Sequence, residues 1–346
     1  MALLDVARHR RPLVDSTADV ASSPLPGLVL TTAGVGAALG LHALVPAVGS
    51  LTWAIAVGAV LANLGLVHDR ALPGVRVASR RLLRAGIVLL GLSLPLATVA
   101  ALGPEVLVLI VLTVAVTFTA TLLIAGRMGL SGPRGLLLAT GFSICGASAI
   151  AAMERTADAE DDDVATAIAA VTLLGTVTMV ALPLLQGPLG LGDAAYGTWV
   201  GAGVQEVGQV VAAAQPAGAA VVGVAVAVKL TRVLLLAPVV AAVGLQRRRA
   251  LRTSGRPTQD GLPPLVPAFV LGFLGCVLLR STGVLPAPVL TVAEQAQTVL
   301  LAAALFALGT GVHLPRLLRS GVRPLLVGTA ATAVVLAVPL AGVLLL

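Results

Sequence analysis

Polar residues punctuate this chain at intervals, and the stretches between them are apolar for long enough to cross a bilayer. After a polar segment at 1–24, apolar runs of roughly 18–25 residues recur, each matching a hydrocarbon core ~30 Å thick. Eleven are read: 25–46, 51–68, 82–101, 105–126, 135–153, 164–186, 195–215, 217–245, 265–281, 287–312 and 324–346. Pro and Gly close most of them, as at Gly103-Pro104, Gly132-Pro133 and Pro263-Pro264. The runs are continuous and do not alternate every second residue, so helices are predicted and barrel strands are not. The fold class that follows is an all-α polytopic membrane protein with about eleven transmembrane helices. The expected organisation is a cytoplasmic tail at 1–24 and a single transmembrane domain over 25–346. No apolar signal-peptide core follows the first residues, so no cleavage is expected.

Composition supports that picture. Of the 346 residues, 58% are apolar and 11% are charged, against about 25% charged in a soluble domain. A soluble protein lacks the charge to cover its surface at that level, and a disordered chain lacks the apolar residues. The net charge of +7 does not mark a nucleic-acid binder, because the arginines lie in short loops between apolar runs. They read as orientation signals. With the N-terminus inside, the loops 1–24, 69–81, 127–134, 187–194, 246–264 and 313–323 hold seventeen of the 22 Lys and Arg. A multi-pass protein of the cell inner membrane is expected. The acidic loop 154–163 then falls outside. Positive loops flank the fifth to eighth runs, so an even number of crossings lies between them. If 135–153 re-enters rather than spans, another run of that set must re-enter too.

An offset of 220 residues relates Gly91, Leu94, Pro95 and Pro104 to Gly311, Leu314, Pro315 and Pro324. The two sets are seven crossings apart and point in opposite directions, as in an inverted repeat. Two similar helix-end turns explain the same matches.

A charge at the bilayer centre costs about 2.5–3.5 kcal/mol or more unless paired or hydrated. Glu206 lies in the middle of run 195–215, and Lys229 and Arg232 lie together on one face of run 217–245. Glu206 either neutralises Lys229 within the bundle, or the cluster binds an anion or carries a coupling ion. Arg84, Arg280 and Glu294 lie nearer run ends and can snorkel. Tyr196 and Trp199 sit at the start of their run, as interfacial anchors do. Two segments break the helical pattern with small and polar residues: Thr140-Gly141-Phe142-Ser143-Ile144-Cys145-Gly146-Ala147-Ser148 and Gly201-Ala202-Gly203-Val204-Gln205-Glu206-Val207-Gly208-Gln209. Broken helices offer backbone N–H groups and a partial positive charge to an anion, and many transporters bind substrate there. Close packing through small residues explains the same glycines without a ligand.

Ser143 and Cys145 could act as nucleophiles, but His42, His68 and His313 all sit near run ends and offer no base at that depth. No HExxH motif occurs, and no metal or other cofactor is expected.

The stretch GFSICGASAIAAM (141–153) resembles the Ser-Ile-Cys-Gly-Ala signature of the YeiH-type membrane proteins, a family that carries the name of sulfate exporters. VGAGVQEVGQVVAA (200–213) is similar to their second signature. KLTRVLLLAP (229–238), LLRAGIVLLG (82–91) and ALGTGVHLPRLLRSGVRPLL (307–326) also resemble that family. Gln205 stands where relatives commonly carry His, so proton coupling here would rest on Glu206. The family is similar to the bile-acid-symporter and sodium/proton-antiporter group. That likeness implies inverted repeats, broken helices crossing at the midplane, and a mobile domain moving against a static one.

The expectation is a secondary transporter of small anions, an exporter of sulfate or an organosulfonate working by alternating access. Ser143, Cys145, Gly146, Ser148, Gln205, Gln209, Lys229 and Arg232 are the expected substrate-binding residues, and Glu206 the ion-coupling one. A proton or sodium ion is the expected coupling partner, in a lipid bilayer, with a homodimer allowed and nucleic acid excluded. An anion channel and an intramembrane hydrolase are the alternatives.

Overall fold

The computed structural model describes residues 23–46, 49–253, 268–311 and 322–346, and it is helical throughout with no strand among them. The N-terminal part runs α1 (Leu25–Leu44), α2 (Ser50–Asn63), α3 (Leu72–Val77), a π-helical turn (Ala78–Leu82), α4 (Leu83–Leu90), a short α5 (Leu96–Ala100) and α6 (Pro104–Arg127). Next come α7 (Gly132–Ser143), α8 (Ala147–Ala157), α9 (Asp161–Gln186), α10 (Asp193–Gly203) and α11 (Val207–Ala214). The rest is α12 (Ala219–Leu234), α13 (Leu236–Thr253), α14 (Ala268–Ser281), α15 (Ala287–Gly309) and α16 (Arg323–Leu345). Six helical segments are long and apolar enough to cross a membrane: α1, α6, α9, α12 continued into α13, α15 and α16. Shorter apolar helices, α2 and α14, accompany them.

Packing sorts these helices into two groups. In the first, α15 lies against α1, α2 and α4, and α14 against α4. Small residues permit the closest of these approaches: a Cβ on Gly58 would collide with the Phe306 carbonyl, and one on Gly309 with the Ile55 carbonyl. In the second group, α6 packs on α7 and α16, and α10 packs on α12 and α16.

Two of the eleven apolar runs do not cross. Ser131 caps α7 by accepting from Arg134 N, and Asp161, Asp162 and Asp163 fill the first turn of α9, where the helix dipole favours acids. Arg134 joins these two starts, with Nε 2.6 Å from Asp163 Oδ1 and Nη2 3.0 Å from Asp162 Oδ2. A chain continuing straight through α7 and α8 would separate them by about 1.5 Å per residue, roughly 35 Å. Instead α8 returns alongside α7, so 132–157 forms a re-entrant hairpin. A second hairpin, 193–214, is closed by Tyr196 Oη donating to the Ala213 carbonyl at 2.8 Å. Because α9 crosses between them, the hairpins enter from opposite faces and meet tip to tip.

This corrects five expectations. The number of crossings falls below eleven, because the chain reverses at both tips. The broken helices meet at their tips and do not cross. The acidic loop 154–163 lies on the arginine-rich face: Arg80 reaches Glu154 at 3.2 Å and Asp161 at 2.9 Å, and Arg247 reaches Asp158 at 2.8 Å. The turn at 187–194 sits at the other end of α9, on the opposite face. Parity survives, because both hairpins re-enter. Tyr196 and Trp199 are not interfacial anchors but are fully buried braces; Trp199 Nε1 donates to the Leu336 carbonyl at 2.9 Å.

The 220-residue echo has a structural counterpart. α4 packs on α15 and α6 on α16. α4 leaves the arginine-rich face that α15 reaches, and α6 arrives at the face that α16 leaves, so each pair is antiparallel. Leu314 and Pro315 lie outside the described residues, as do the tail 1–22 and most of the loops after α13 and α15.

Candidate functional site

The hairpin tips are built from two unwound segments. The first is Ile144-Cys145-Gly146. Gly146 adopts φ 69 and ψ −132, a backbone conformation that glycine adopts without a side-chain penalty. The second is Val204-Gln205-Glu206, with Val204 and Glu206 extended. Each break exposes one helix C-terminus, with unsatisfied carbonyls and partial negative charge, and one N-terminus, with free N–H groups and partial positive charge.

Both C-termini are capped by one helix. Lys229 and Arg232 of α12 are fully buried. Lys229 Nζ donates to the Ile144 carbonyl at 2.7 Å and to the Val204 carbonyl at 2.6 Å, so one ammonium bridges the two tips. Arg232 repeats the bridge one turn further on. Its Nη2 donates to Ser143 O at 2.6 Å and Phe142 O at 3.2 Å, and its Nη1 to the carbonyls of Ala202 and Val204. Hydrogen bonds to a charged group are worth about 1.5–3 kcal/mol each, which offsets the desolvation of both cations. The Lys229 ammonium thus spends its hydrogen bonds on carbonyls and not on Glu206.

The N-termini face the carboxylate. Glu206 caps α11 in a reciprocal box: its side chain accepts from the Gln209 backbone N–H, and Gln209 Oε1 accepts from Glu206 N at 3.3 Å. Across the gap, the Ala147 N–H at the start of α8 faces the same carboxylate. Gly146 leaves room for it, since a Cβ there would stand 2.7 Å from Glu206 Cγ. The tips therefore hold two buried cations at two negative helix ends, and one carboxylate between two positive ends.

Polar capacity is left over. Gln205 is fully buried and neither amide atom has a partner; Glu206 Oε1 and Arg232 Nε are also unpartnered. Buried polar atoms are paired in the great majority of cases, so this concentration at one place makes the tips the candidate site.

The other expected residues fall as follows. Ser143 Oγ donates to Thr140 O at 3.4 Å, and its own carbonyl is held by Arg232. Ser148 Oγ lies 3.1 Å from Cys145 O and 2.9 Å from Cys145 Sγ, so both side chains brace the first tip. Gln209 Nε2 donates to Thr172 O at 3.3 Å and reaches Thr176 Oγ1 at 3.5 Å. Gly175 makes the space for that amide. Thr172, Gly175 and Thr176 were not singled out in the sequence; their only signal is small and polar residues spaced along one helix face. Among the described residues, no three His, Cys, Asp or Glu side chains come together to hold a metal.

A second feature lies toward the arginine-rich face. A cleft of about 330 Å³ opens between α3, the π turn and the end of α15 on one side, and α8 and α9 on the other. Arg76, Arg80, Glu154, Asp161 and Thr310 line it.

The architecture defines a class: a polytopic α-helical membrane protein with two opposed re-entrant hairpins and buried charges at their tips. A family model described as "Conserved hypothetical protein 698" matches residues 26–328. The chain is 41% identical to a UPF0324 membrane protein of Corynebacterium glutamicum, covering 92% of each chain. A UPF0324 membrane protein of Bacillus cereus is 35% identical over 81% of this chain and 82% of its own. One from Listeria monocytogenes is 34% identical over 86% and 88%. The chain belongs to this UPF0324 family of membrane proteins, the YeiH-like family that its signature segments resemble. No solved structure matches it.

Proposed function

We propose that the protein is a secondary transporter that carries a small oxyanion across the cell membrane by alternating access, with sulfate or an organosulfonate as substrate. One observation carries the reading: two re-entrant hairpins enter from opposite faces and place unwound backbone, a carboxylate and two cations together at mid-depth. Irregular backbone is tolerated at that depth only where it is buried in protein or lines a cavity. Opposed hairpins put one barrier on each side of a central site, which is what alternating access requires.

The tips suit an anion over a cation. Two buried cations stand against one carboxylate, and two helix N-termini add positive potential. Lys229 and Arg232 hold the tips and supply charge from behind the carbonyls they cap. Gln205 and the N–H groups of α8 and α11 are the groups left to meet a substrate, with Ser143, Cys145, Gly146, Ser148 and Gln209 shaping the tips around it. Glu206 is the coupling group. The α12-linked hairpin group moves against α1, α2, α4, α14 and α15, and the arginine-lined cleft is the access route on one face. The charge of the arginine-rich face supports a cytoplasmic position for it, with the N-terminus on the same, inner side.

Counter-flow in sealed proteoliposomes tests this. Saturable exchange of labelled sulfate, competed by an organosulfonate, is expected. Linear, non-saturating flux, or no flux with any small oxyanion, overturns it.

A further inference from the structure

Glu206 is a carboxylate standing where a bound anion would stand. The carboxylate meets the N-terminal N–H groups of both α8 and α11 through its other oxygen, Oε1 having no donor, and such N–H groups are the donors most suited to an oxyanion. Two further donors of the tip region have no acceptor, Gln205 Nε2 in the same unwound segment and Arg232 Nε on α12, both completely buried. Glu206 Oε1 lies buried without a donor of its own. The side chain fills the space over Gly146, where a Cβ would lie 3.1 Å from Oε1. The two helix N-termini are therefore occupied by the protein's own carboxylate, and further donors of the tips stand without acceptors.

We infer that the Glu206 carboxylate and the transported oxyanion use these N–H donors in turn, so that each anion enters the tips only when Glu206 has taken up a proton. This rests on the transport reading above and specifies its coupling. The step balances simply: one proton joins one carboxylate oxygen, no electrons move, and the neutral acid gives up its backbone donors to the incoming anion. Two like charges cannot share the donors, because their repulsion in a low-dielectric interior far exceeds that in water. The other ionisable groups facing Glu206 are Lys229 of α12 and Cys145 of the first tip; Arg232 faces Cys145 and Lys229 from behind them. From α9, the uncharged Val171 packs against the same side of Gly146 as Glu206 does. With Glu206 neutral, Lys229 and Arg232 remain to balance a divalent anion. A sodium ion in that position would sit beside the Lys229 ammonium and two positive helix ends, which favours the proton as coupling ion.

Purified protein in detergent gives the test, with sulfate as the probe. Wild-type protein is expected to take up one proton for each sulfate bound, read by calorimetry in buffers of different ionisation enthalpy. Its apparent affinity is expected to fall about tenfold per pH unit on the alkaline side. Glu206→Gln, a fixed neutral mimic, is expected to bind sulfate with no pH dependence and no proton uptake. Binding without proton uptake by the wild type overturns the inference, as does a Glu206→Gln protein with unchanged pH dependence or a requirement for sodium. The proton count needs only the wild type and decides the matter even where the variant fails to fold. Proteoliposomes that show no flux despite proton-linked binding would sink the transport reading and leave the shared-donor inference standing.

Discussion

Gly146 lies directly against Glu206, with no room for a methyl group between the first hairpin tip and the acid on the second. Its φ of 69 adds a second demand for glycine. Gly146→Ala is expected to combine a backbone cost of about 1–3 kcal/mol with displacement of Glu206. Gly190 is the control: its φ is 64, and nothing lies within 4 Å of a Cβ there. Melting temperatures of both variants separate the terms. Gly146→Ala is expected to lose sulfate-induced stabilisation, while Gly190→Ala shows only the backbone cost and keeps it.

Arg232 and Lys229 cap carbonyls that have no other side-chain donors on the tips. Lys229→Met strands the Ile144 carbonyl and leaves Val204 O only the longer bond from Arg232, and each buried acceptor without a donor costs about 1–3 kcal/mol. Arg232→Met is expected to be at least as damaging, since its two terminal nitrogens reach four carbonyls. Thermal melts in detergent check this. A melting temperature unchanged in either variant would show that the caps do not hold the hairpins together.

The hairpin arrangement predicts sidedness. With Cys145 and Cys276 replaced by Ala, a single cysteine at Asp158 and one at Arg76 are expected to react with an impermeant maleimide from the same side of the membrane. One at Gly187 is expected to react from the other side. Labelling of positions 158 and 76 from opposite sides would restore a spanning course for 135–153.

Arg80 joins the two helix groups through Glu154 and Asp161 while remaining half exposed. Ion pairs of that kind are worth about 0–1 kcal/mol, so Arg80→Glu is expected to leave melting nearly unchanged. Its effect is expected on transport rate, because the contact spans the cleft between groups that move past each other. A Glu154→Arg partner substitution is expected to recover part of the change. Equal rates in wild type and Arg80→Glu would remove this contact from the mechanism.

Much of the site was legible from one rule: a charge inside an apolar run needs a reason. That rule selected Glu206, Lys229 and Arg232, and the glycine-rich interruptions selected both tips. What the cations do was not legible. An amphipathic pattern shows that Lys229 and Arg232 share a face, but the carbonyls of Phe142, Ser143 and Ile144 that they cap lie some 85–90 residues away. Nor could run length reveal the reversals, because a hairpin of 12 and 11 residues has the same apolar length as a single crossing. The acidic loop 154–163 was misplaced for that reason, because counting 135–153 as a crossing puts the loop on the outer face. Asp161, Asp162 and Asp163 instead form the first turn of α9, with Asp162 and Asp163 as partners for Arg134 and Asp161 for Arg80.

The bridging of both tips by α12 also fixes an order of events during synthesis. The first hairpin is complete by residue 157, but its electronegative end has no side-chain cap until Lys229 and Arg232 have been made. By then α9 and the second hairpin have also been made. The ribosome therefore delivers the fastener of both halves of the site last.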